Sequence, residues 1–283
     1  MNRNINIYDD FDHGINPTWV QITTGGGKIR IHNSVLRMSF NYANKESYTD
    51  VQLDDYTLQL GYGLPMQSKF VFKWTPPLKM TIRSRFSLHT TKEGGEDNIF
   101  LGTAGFGFWN NPFSISGNVL TLPEVIWFFY SSPPSNIDLV PNLYGYGWKA
   151  QVIHSNRLEV LPLSIHTSII GLIELIIDKK NMKCTRYNIQ KLSGTHESIL
   201  NVDATLWHTY SLEWRKNKST FYVDGDIVLD VNQAPTQSLG FVVWIDNQYA
   251  IFTPKGLKFE FGKLNTKKQW MDIDYINIEQ IND

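Results

Sequence analysis

The chain of 283 residues contains a single cysteine, Cys184. One cysteine cannot form an internal disulfide or build a cysteine-ligated metal site, so the sequence excludes both. Only 19% of the residues are charged and the formal net charge is −1. That balance argues against nucleic-acid binding, which depends on lysine and arginine neutralising phosphates. No apolar run reaches the roughly 18 residues of a membrane span, so we expect no transmembrane segment.

Several signals for targeting and catalysis are also missing. The first ten residues, from Met1 to Asp10, have no apolar core like that of a signal peptide, so we expect a cytoplasmic protein. The seven histidines show no metal-ligand spacing, and no Gly-x-Ser-x-Gly elbow marks a nucleophilic serine. No glycine-rich phosphate loop precedes a predicted helix. The residues therefore indicate no required cofactor, and they leave the oligomeric state open.

The sequence is rich in short segments with the pattern of β-strands. Residues 79–88 alternate between apolar and polar side chains, and residues 271–278 alternate again, which is typical of strands with one buried face. Residues 239–245 form a continuous apolar run that suits a strand buried on both faces. Gly- and Pro-rich turns separate the runs, and 13% of the residues are aromatic. The pattern predicts an all-β, antiparallel sandwich or jelly roll that forms one domain over residues 1–283.

One stretch departs from the strand pattern. Between residues 159 and 178 the polar side chains recur at spacings of three and four, which predicts an amphipathic helix. The many β-branched residues leave a strand as the alternative. We expect a helical insertion at about 155–200. Its apolar face would either cover the mouth of a cleft or pack on the opposite side or an edge of the sandwich.

Four segments, in order along the chain, resemble the glycoside hydrolase family 16 branch of the concanavalin A-like lectin/glucanase superfamily. The segments are Asp9–Asp12 followed by Trp19, Gly105–Trp109, Trp207–Trp214 followed by Phe221–Gly225, and Met271–Tyr275. The resemblance implies two antiparallel sheets, one of which is concave and forms a ligand cleft. It does not extend to residues 150–200.

The resemblance fails on the strand that would carry the chemistry. The family has Glu-x-Asp-x-Glu there, or the same motif with one extra residue before the second Glu. A retaining glycosidase needs a nucleophile and an acid/base from such a pair of carboxylates. In this chain Glu124 matches the first Glu, but Ile126 stands in place of the Asp and Phe128 in place of the second Glu. One carboxylate cannot perform both roles, so we expect the usual hydrolysis to be lost.

These residues suggest an aromatic cleft with one acid. Glu124 is the candidate catalytic residue, since it is the one acid among these apolar groups and would act as a general acid. The residues expected to line the ligand are Trp109, Ile126, Phe128, Tyr130, Trp148, Trp244, Asp246 and Asn247. Each has an alternative role, because buried tryptophans often belong to a core and an Asp-Asn pair often forms a turn. By resemblance to the family, Asp274 would belong to a structural calcium site.

The sequence therefore predicts a protein of the glucanase fold that binds a small apolar or amphipathic ligand. A biosynthetic enzyme that acts on such a ligand is one form of this function. Two alternatives stay open. The first is a carbohydrate-binding, lectin-like module, which the aromatic residues and the resemblance favour. The second is a glycoside hydrolase whose carboxylates lie elsewhere in the cleft. Whether the protein catalyses any reaction is left open.

Overall fold

The computed structural model describes residues 6–57, 71–90, 99–110, 123–136, 139–140, 143–155, 193–253, 256–264 and 268–282. All the secondary-structure elements named within these ranges are β-strands, and all pairings between them are antiparallel. They are β1 (Ile7–Asp9), β2 (Val20–Thr24), β3 (Lys28–His32), β4 (Val35–Phe40), β5 (Asp50–Asp54), β6 (Leu78–Phe86), β7 (Thr103–Trp109), β8 (Glu124–Ser131), β9 (Gly147–His154), β10 (His196–Ile199), β11 (His208–Arg215), β12 (Lys218–Val223), β13 (Asp226–Val231), β14 (Gly240–Asp246), β15 (Gln248–Thr253), β16 (Gly256–Phe261) and β17 (Gln269–Gln280).

Most of these strands form two large sheets. The eight-stranded sheet has the order β13-β12-β11-β6-β17-β4-β3, with β1 added beside β17. The seven-stranded sheet has the order β10-β9-β8-β7-β14-β5-β2, and β15 and β16 form a separate hairpin. The predicted all-β antiparallel sandwich of the jelly-roll kind is confirmed.

The core lies between the two sheets. Along β6 the side chains alternate between buried and half-buried, as the sequence pattern predicts, and Met80 and Ile82 point into the core. From the other sheet, Phe106 and Phe128 reach the same core, where they contact Tyr210 of β11 at ring-centroid distances of 5.3 and 5.2 Å. This shared aromatic core is what holds the sheets face to face.

The seven-stranded sheet is apolar on its outer face as well. A second buried cluster lies there, separate from the core between the sheets, and it includes Val125, Trp127, Ile153, Val242 and Trp244. A sheet that is apolar on both faces reads as continuous apolar runs rather than as an alternation. That explains why β8 and β14 show almost no polar residues in the sequence.

The structure describes the predicted insertion only at its two ends. Residues 156–192, including the helix predicted at 159–178, lie outside the described residues. The prediction of a helix is wrong at the C-terminal end of the insertion. There His196–Ile199 form β10, which pairs with β9 at the edge of the seven-stranded sheet. Within the ranges that the structure describes, no helix is long and apolar enough to cross a membrane.

Candidate functional site

The outer face of the seven-stranded sheet carries a group of aromatic side chains, which we call the outer aromatic cluster. Its members are Tyr56, Trp109, Trp127, Phe129 and Trp244. The indole rings of Trp109 and Trp244 are stacked, with centroids 6.4 Å apart and planes inclined by 8°. Trp127 and Phe129 are also stacked, with centroids 5.3 Å apart and an angle of 16°. The cluster thus joins three neighbouring strands, β14, β7 and β8, in one aromatic surface.

Two glycines on β7 leave the space in which these rings lie. A Cβ atom placed on Gly105 would lie 2.7 Å from the Trp244 ring, and one on Gly107 would lie 2.5 Å from the Cβ atom of Trp127. Real Cβ atoms do not approach other atoms this closely, so a side chain at either position would displace a tryptophan. The segment Gly105–Trp109 therefore determines the cluster through its glycines as much as through Trp109.

The polar edges of the three indole rings are all paired within the protein. Trp109 Nε1–H donates to the hydroxyl of Tyr56 at 2.9 Å, and Trp244 Nε1–H donates to Thr103 Oγ1 at 2.9 Å. Trp127 Nε1–H donates to Gln151 Oε1. These bonds fix the orientation of the rings, and the indole donors are already satisfied without a ligand.

A buried ion pair flanks the cluster on the β9–β10 side. Lys149 stands directly opposite Phe129 and Gln151 directly opposite Trp127 in the register of β8 and β9. Lys149 Nζ donates to Glu197 Oε2 at 2.9 Å, and Gln151 Nε2 donates to Glu197 Oε1. Both charged side chains are almost completely shielded from water, so the carboxylate and the ammonium neutralise each other within the sheet surface.

Three carboxyl groups flank the cluster on the opposite side, on β5 and β14. Asp54 accepts hydrogen bonds from Gln52 Nε2, from the Thr57 hydroxyl, and from backbone N–H groups. Asp246 and Asp50 are direct cross-strand partners, and both are buried. Burial raises the pKa of Asp246 to about 6. Burial, together with the charge of Asp246, raises the pKa of Asp50 well above its usual range.

The structure corrects the predicted orientation of β8. The sequence interpretation placed Ile126, Phe128 and Tyr130 on the cleft side, but all three are fully buried in the core between the sheets. Trp148 lies in the same core and packs edge-to-face on Tyr210. The outer face of β8 instead carries the odd-numbered residues of the strand, which are Val125, Trp127, Phe129 and Ser131. The prediction was out of phase by one residue, so it exchanged the two faces of the strand.

Glu124 lies at the start of β8, at the end of the sheet remote from Asp246. Its Oε1 accepts a hydrogen bond from the Ser155 backbone N–H at 2.8 Å, and its Oε2 lies 2.7 Å from Nδ1 of His154, its cross-strand partner. By the alternation of the strand it shares the inter-sheet side of Ile126. These contacts suit a carboxylate that fixes the end of β9, and they do not bring Glu124 to the outer aromatic cluster.

The remaining predicted site residues differ in their positions. Trp109 and Trp244 are members of the outer aromatic cluster, and Asp246 lies at the end of β14 on the same face. Asn247 is fully buried. Its Nδ2 donates hydrogen bonds to the carbonyl groups of Asn44, Ser47 and Gly262 and so connects separate loops. That position suits a structural role.

The surroundings of Asp274 do not fit a calcium site. Asp274 Oδ2 accepts a hydrogen bond from Arg83 Nη1 at 2.7 Å, so an arginine already supplies the cation. Within the described part of the chain, no group of three or more His, Cys, Asp or Glu side chains is arranged to hold a metal ion.

Sequence reasoning missed Trp127, Phe129, Lys149, Gln151 and Glu197. The sequence from Val125 to Tyr130 is apolar throughout, so nothing in β8 itself marks its outer face. A usable signal was present in β9, where Lys149 and Gln151 alternate with apolar residues. Glu197 could not have been identified, because β10 was predicted as part of a helical insertion.

The two packed antiparallel sheets define the chain as a sandwich of the jelly-roll kind. The comparisons with known proteins agree with this class. Residues 179–272, about a third of the chain, match the sequence model of glycosyl hydrolases family 16. The chain resembles that family, as Trp207–Trp214 and Phe221–Gly225, which lie inside the matched region, already indicate.

Solved structures show the same fold at low sequence identity. The chain matches a β-glucanase of Bacillus licheniformis with a TM-score of 0.50 and 11% identity, over 98% of both chains. It matches a prokaryotic β-1,3-1,4-glucanase (lichenase) from a mouse hindgut metagenome with a TM-score of 0.51 and 11% identity, over 98% of this chain and 99% of the other. No curated protein matches the sequence. At this identity the likeness establishes the fold, and function has to be argued from the site.

Proposed function

We propose that the protein binds a small apolar or amphipathic ligand on the outer aromatic cluster, and that it lacks the paired-carboxylate hydrolysis of the family it resembles. The observation that carries the proposal is the pairing of all three indole N–H groups within the protein. The half-buried rings of the cluster, Trp109 and Phe129, therefore offer faces for contact while its polar edges are satisfied. Sites for small molecules are typically lined in this way, with mostly aromatic walls and few polar groups.

The position of the carboxyl groups argues against the family chemistry. The four outer-face positions of β8, Val125, Trp127, Phe129 and Ser131, carry no carboxylate. Glu197 on β10 is four strand spacings from Asp246 on β14, which is roughly 19 Å at about 4.8 Å per strand. Glycosidase carboxylates act at separations of about 5–10 Å, so these two cannot act as a pair.

Carbohydrate binding is the second candidate, and two observations favour it. The family match is to glycosyl hydrolases family 16, and the two solved structures of similar fold are glucanases. Trp109, which is half-buried and stacks on Trp244, offers an aromatic face on which a sugar ring could stack. A hydrolase with displaced carboxylates would have few residues to use. Among the described residues of the outer face, Asp50 and Asp246 are direct cross-strand partners, whereas Asp54 is opposite Val242, four residues further along both strands.

Direct binding measurements distinguish the two candidates. The neutral dye N-phenyl-1-naphthylamine is titrated with the purified chain and followed by fluorescence, and a β-1,3-1,4-glucan oligosaccharide is titrated by calorimetry. We expect saturable binding of the dye and at least tenfold weaker binding of the oligosaccharide, since few polar groups of the cluster are unpaired. Tight oligosaccharide binding without dye binding would instead support the lectin-like function.

A further inference from the structure

Two aspartates at one end of the outer face form an unusual pair. Asp246, the last residue of β14, and Asp50, the first residue of β5, are direct cross-strand partners. Side chains of such partners lie on the same face with Cβ atoms about 4.5–5.5 Å apart. Both residues are buried, with exposed fractions of 4% and 5%. Two ionised carboxylates at this distance and burial would repel each other strongly.

The hydrogen bonds of the two carboxyl groups are unequal. Asp246 Oδ1 accepts from the backbone N–H of Thr103, from the hydroxyl of Thr103 and from the backbone N–H of Gln248, each at 2.9 Å. Asp246 Oδ2 accepts from the Tyr48 hydroxyl at 3.1 Å. A carboxyl group with this many donors is suited to the ionised form. Asp246 is therefore the member of the pair that carries the negative charge.

Asp50 has the opposite environment. The Tyr48 hydroxyl and the Val51 backbone N–H act on Asp50 as hydrogen-bond donors, but its Oδ1 is buried and has no hydrogen-bond partner in the structure. The titratable groups that act on Asp50 are Tyr48, Asp246 and Asp54, none of which is a cation. In the described part of the chain, none of the ion pairs involves any of these three aspartates. A buried carboxylate oxygen without a donor or a cation is costly, whereas a protonated carboxyl group carries no charge, and its O–H is a donor that an acceptor can pair.

We propose that Asp50 and Asp246 hold one proton between them at neutral pH, carried by Asp50, and that this neutral carboxyl group is a hydrogen-bond donor for a ligand on the outer aromatic cluster. The donor selects a neutral oxygen acceptor, such as a carbonyl, ether or hydroxyl oxygen. An anionic group would be disfavoured, because it would face the charge of Asp246. The ligand part of this proposal rests on the proposed function.

Hydrogen bonds and the strand register connect the aspartate pair to the outer aromatic cluster. Trp244 Nε1–H donates to Thr103 Oγ1, and the same hydroxyl group donates to Asp246 Oδ1. Gln52, two residues after Asp50 and on the same face of β5, stands directly opposite Trp244. The acid thus lies beside the outer aromatic cluster, on the same face of the sheet.

Infrared spectroscopy tests the shared proton without any ligand. We expect the wild-type protein in D₂O at neutral pH to show the carbonyl band of a protonated carboxyl group, and we expect Asp50→Asn to lose it. The control is Asp226→Asn, which removes an exposed carboxylate at the first residue of β13 and should leave the band unchanged. Absence of the band in the wild type, or its persistence in Asp50→Asn, would overturn the proposal.

The pH dependence of stability provides a second test that does not require a spectroscopic assignment. The native pKa of each aspartate is raised above the unfolded value of about 3.9, so the folded state binds more protons and stability falls as pH rises. Above pH 6 we expect the wild-type folding constant to keep falling, at up to about tenfold per pH unit, relative to Asp50→Asn. Parallel curves for the two proteins above pH 6 would overturn the shared proton.

A matched pair of probes tests the ligand role. The probes are 2-acetylnaphthalene, which has a carbonyl acceptor, and 2-ethylnaphthalene, which has none. We expect the wild type to bind the ketone about three- to tenfold more tightly, the usual net value of one hydrogen bond. Asp50→Leu should lose this preference. Should that variant fail to fold, the wild type should still lose the preference as the pH is raised and the shared proton leaves.

The outcomes separate the two proposals. Equal binding of both probes by the wild type would overturn the donor role of Asp50 and leave the proposed function standing. Failure of both probes to bind would overturn the proposed function and the ligand role that rests on it. In that case the infrared band and the stability curves still test whether Asp50 and Asp246 share a proton.

Discussion

Phe128 and Phe129 are consecutive residues of β8 whose side chains lie on opposite faces of the seven-stranded sheet. Phe128 is fully buried between the sheets and contacts Tyr210 and Phe221 at centroid distances of 5.2 and 5.3 Å. Phe129 is half-buried on the outer face, where it stacks on Trp127. Both faces of this strand are therefore apolar. A strand of this kind can support an aromatic surface, but it cannot present carboxylates on alternate residues.

The purified chain should not hydrolyse β-1,3-1,4-glucan. The outer-face positions of β8 are apolar or carry a hydroxyl group, so the strand supplies neither nucleophile nor acid/base. A reducing-sugar assay with prolonged incubation should give the value of a blank without protein. Release of sugar by the wild type that disappears in both Asp50→Asn and Asp246→Asn would show that displaced carboxylates act as a pair, contrary to this account.

Removing the charge of Glu197 should destabilise the fold. Glu197→Gln leaves the Lys149 ammonium buried without a counter-ion, and breaking a buried ion pair costs about 3–5 kcal/mol. The free energy of unfolding in urea should fall by about this amount. The double variant Lys149→Met/Glu197→Leu should recover most of the loss, because it removes both charges together.

An exposed ion pair provides the control for this prediction. Asp230→Asn removes the partner of Lys218, and both of these side chains are more than two-fifths exposed. Such a pair contributes about 0–1 kcal/mol, so the variant should unfold at nearly the wild-type urea concentration. Similar losses in Glu197→Gln and Asp230→Asn would show that the Lys149–Glu197 pair is not buried in solution.

Asn247 should affect stability and leave ligand binding unchanged. Its Oδ1 accepts from the Thr49 backbone N–H and its Nδ2 donates to three carbonyl groups, so Asn247→Ala leaves four backbone groups, two of them in buried surroundings, without this partner. We expect a loss of about 3 kcal/mol, at the upper end for unsatisfied buried groups. Thermal unfolding measures the loss. Unchanged stability with weaker dye binding would instead return Asn247 to the ligand site predicted from the sequence.

The fold was largely predictable because its strands carry local signals. The alternation along 79–88 and 271–278 indicates one buried face, and these residues lie in β6 and its neighbour β17. The interpretation was wrong at His196–Ile199, where a short edge strand of mixed polarity gives no clear period. Length and composition do not distinguish such a strand from the end of a helix.

The site was predictable only in part. Trp109, Trp244 and Asp246 were identified, because an aromatic segment and a strand end are visible in the sequence. The sequence did not show which side chains of β8 point outward. The strand is apolar on both sides, and its orientation was inferred from Glu124 alone. Asp50 gave no signal either, because its pairing with Asp246 joins residues 196 positions apart and depends on the strand order.

The matched variants Phe129→Leu and Phe128→Leu test the central claim most directly. The same change is made at adjacent residues, and the binding of N-phenyl-1-naphthylamine is measured together with the urea midpoint. We predict that Phe129→Leu weakens dye binding several-fold at nearly wild-type stability. Phe128→Leu should lose about 1–2 kcal/mol of stability and, where it is folded, bind the dye like the wild type. Weaker binding in Phe128→Leu together with wild-type binding in Phe129→Leu would contradict the assignment of the ligand to the outer face.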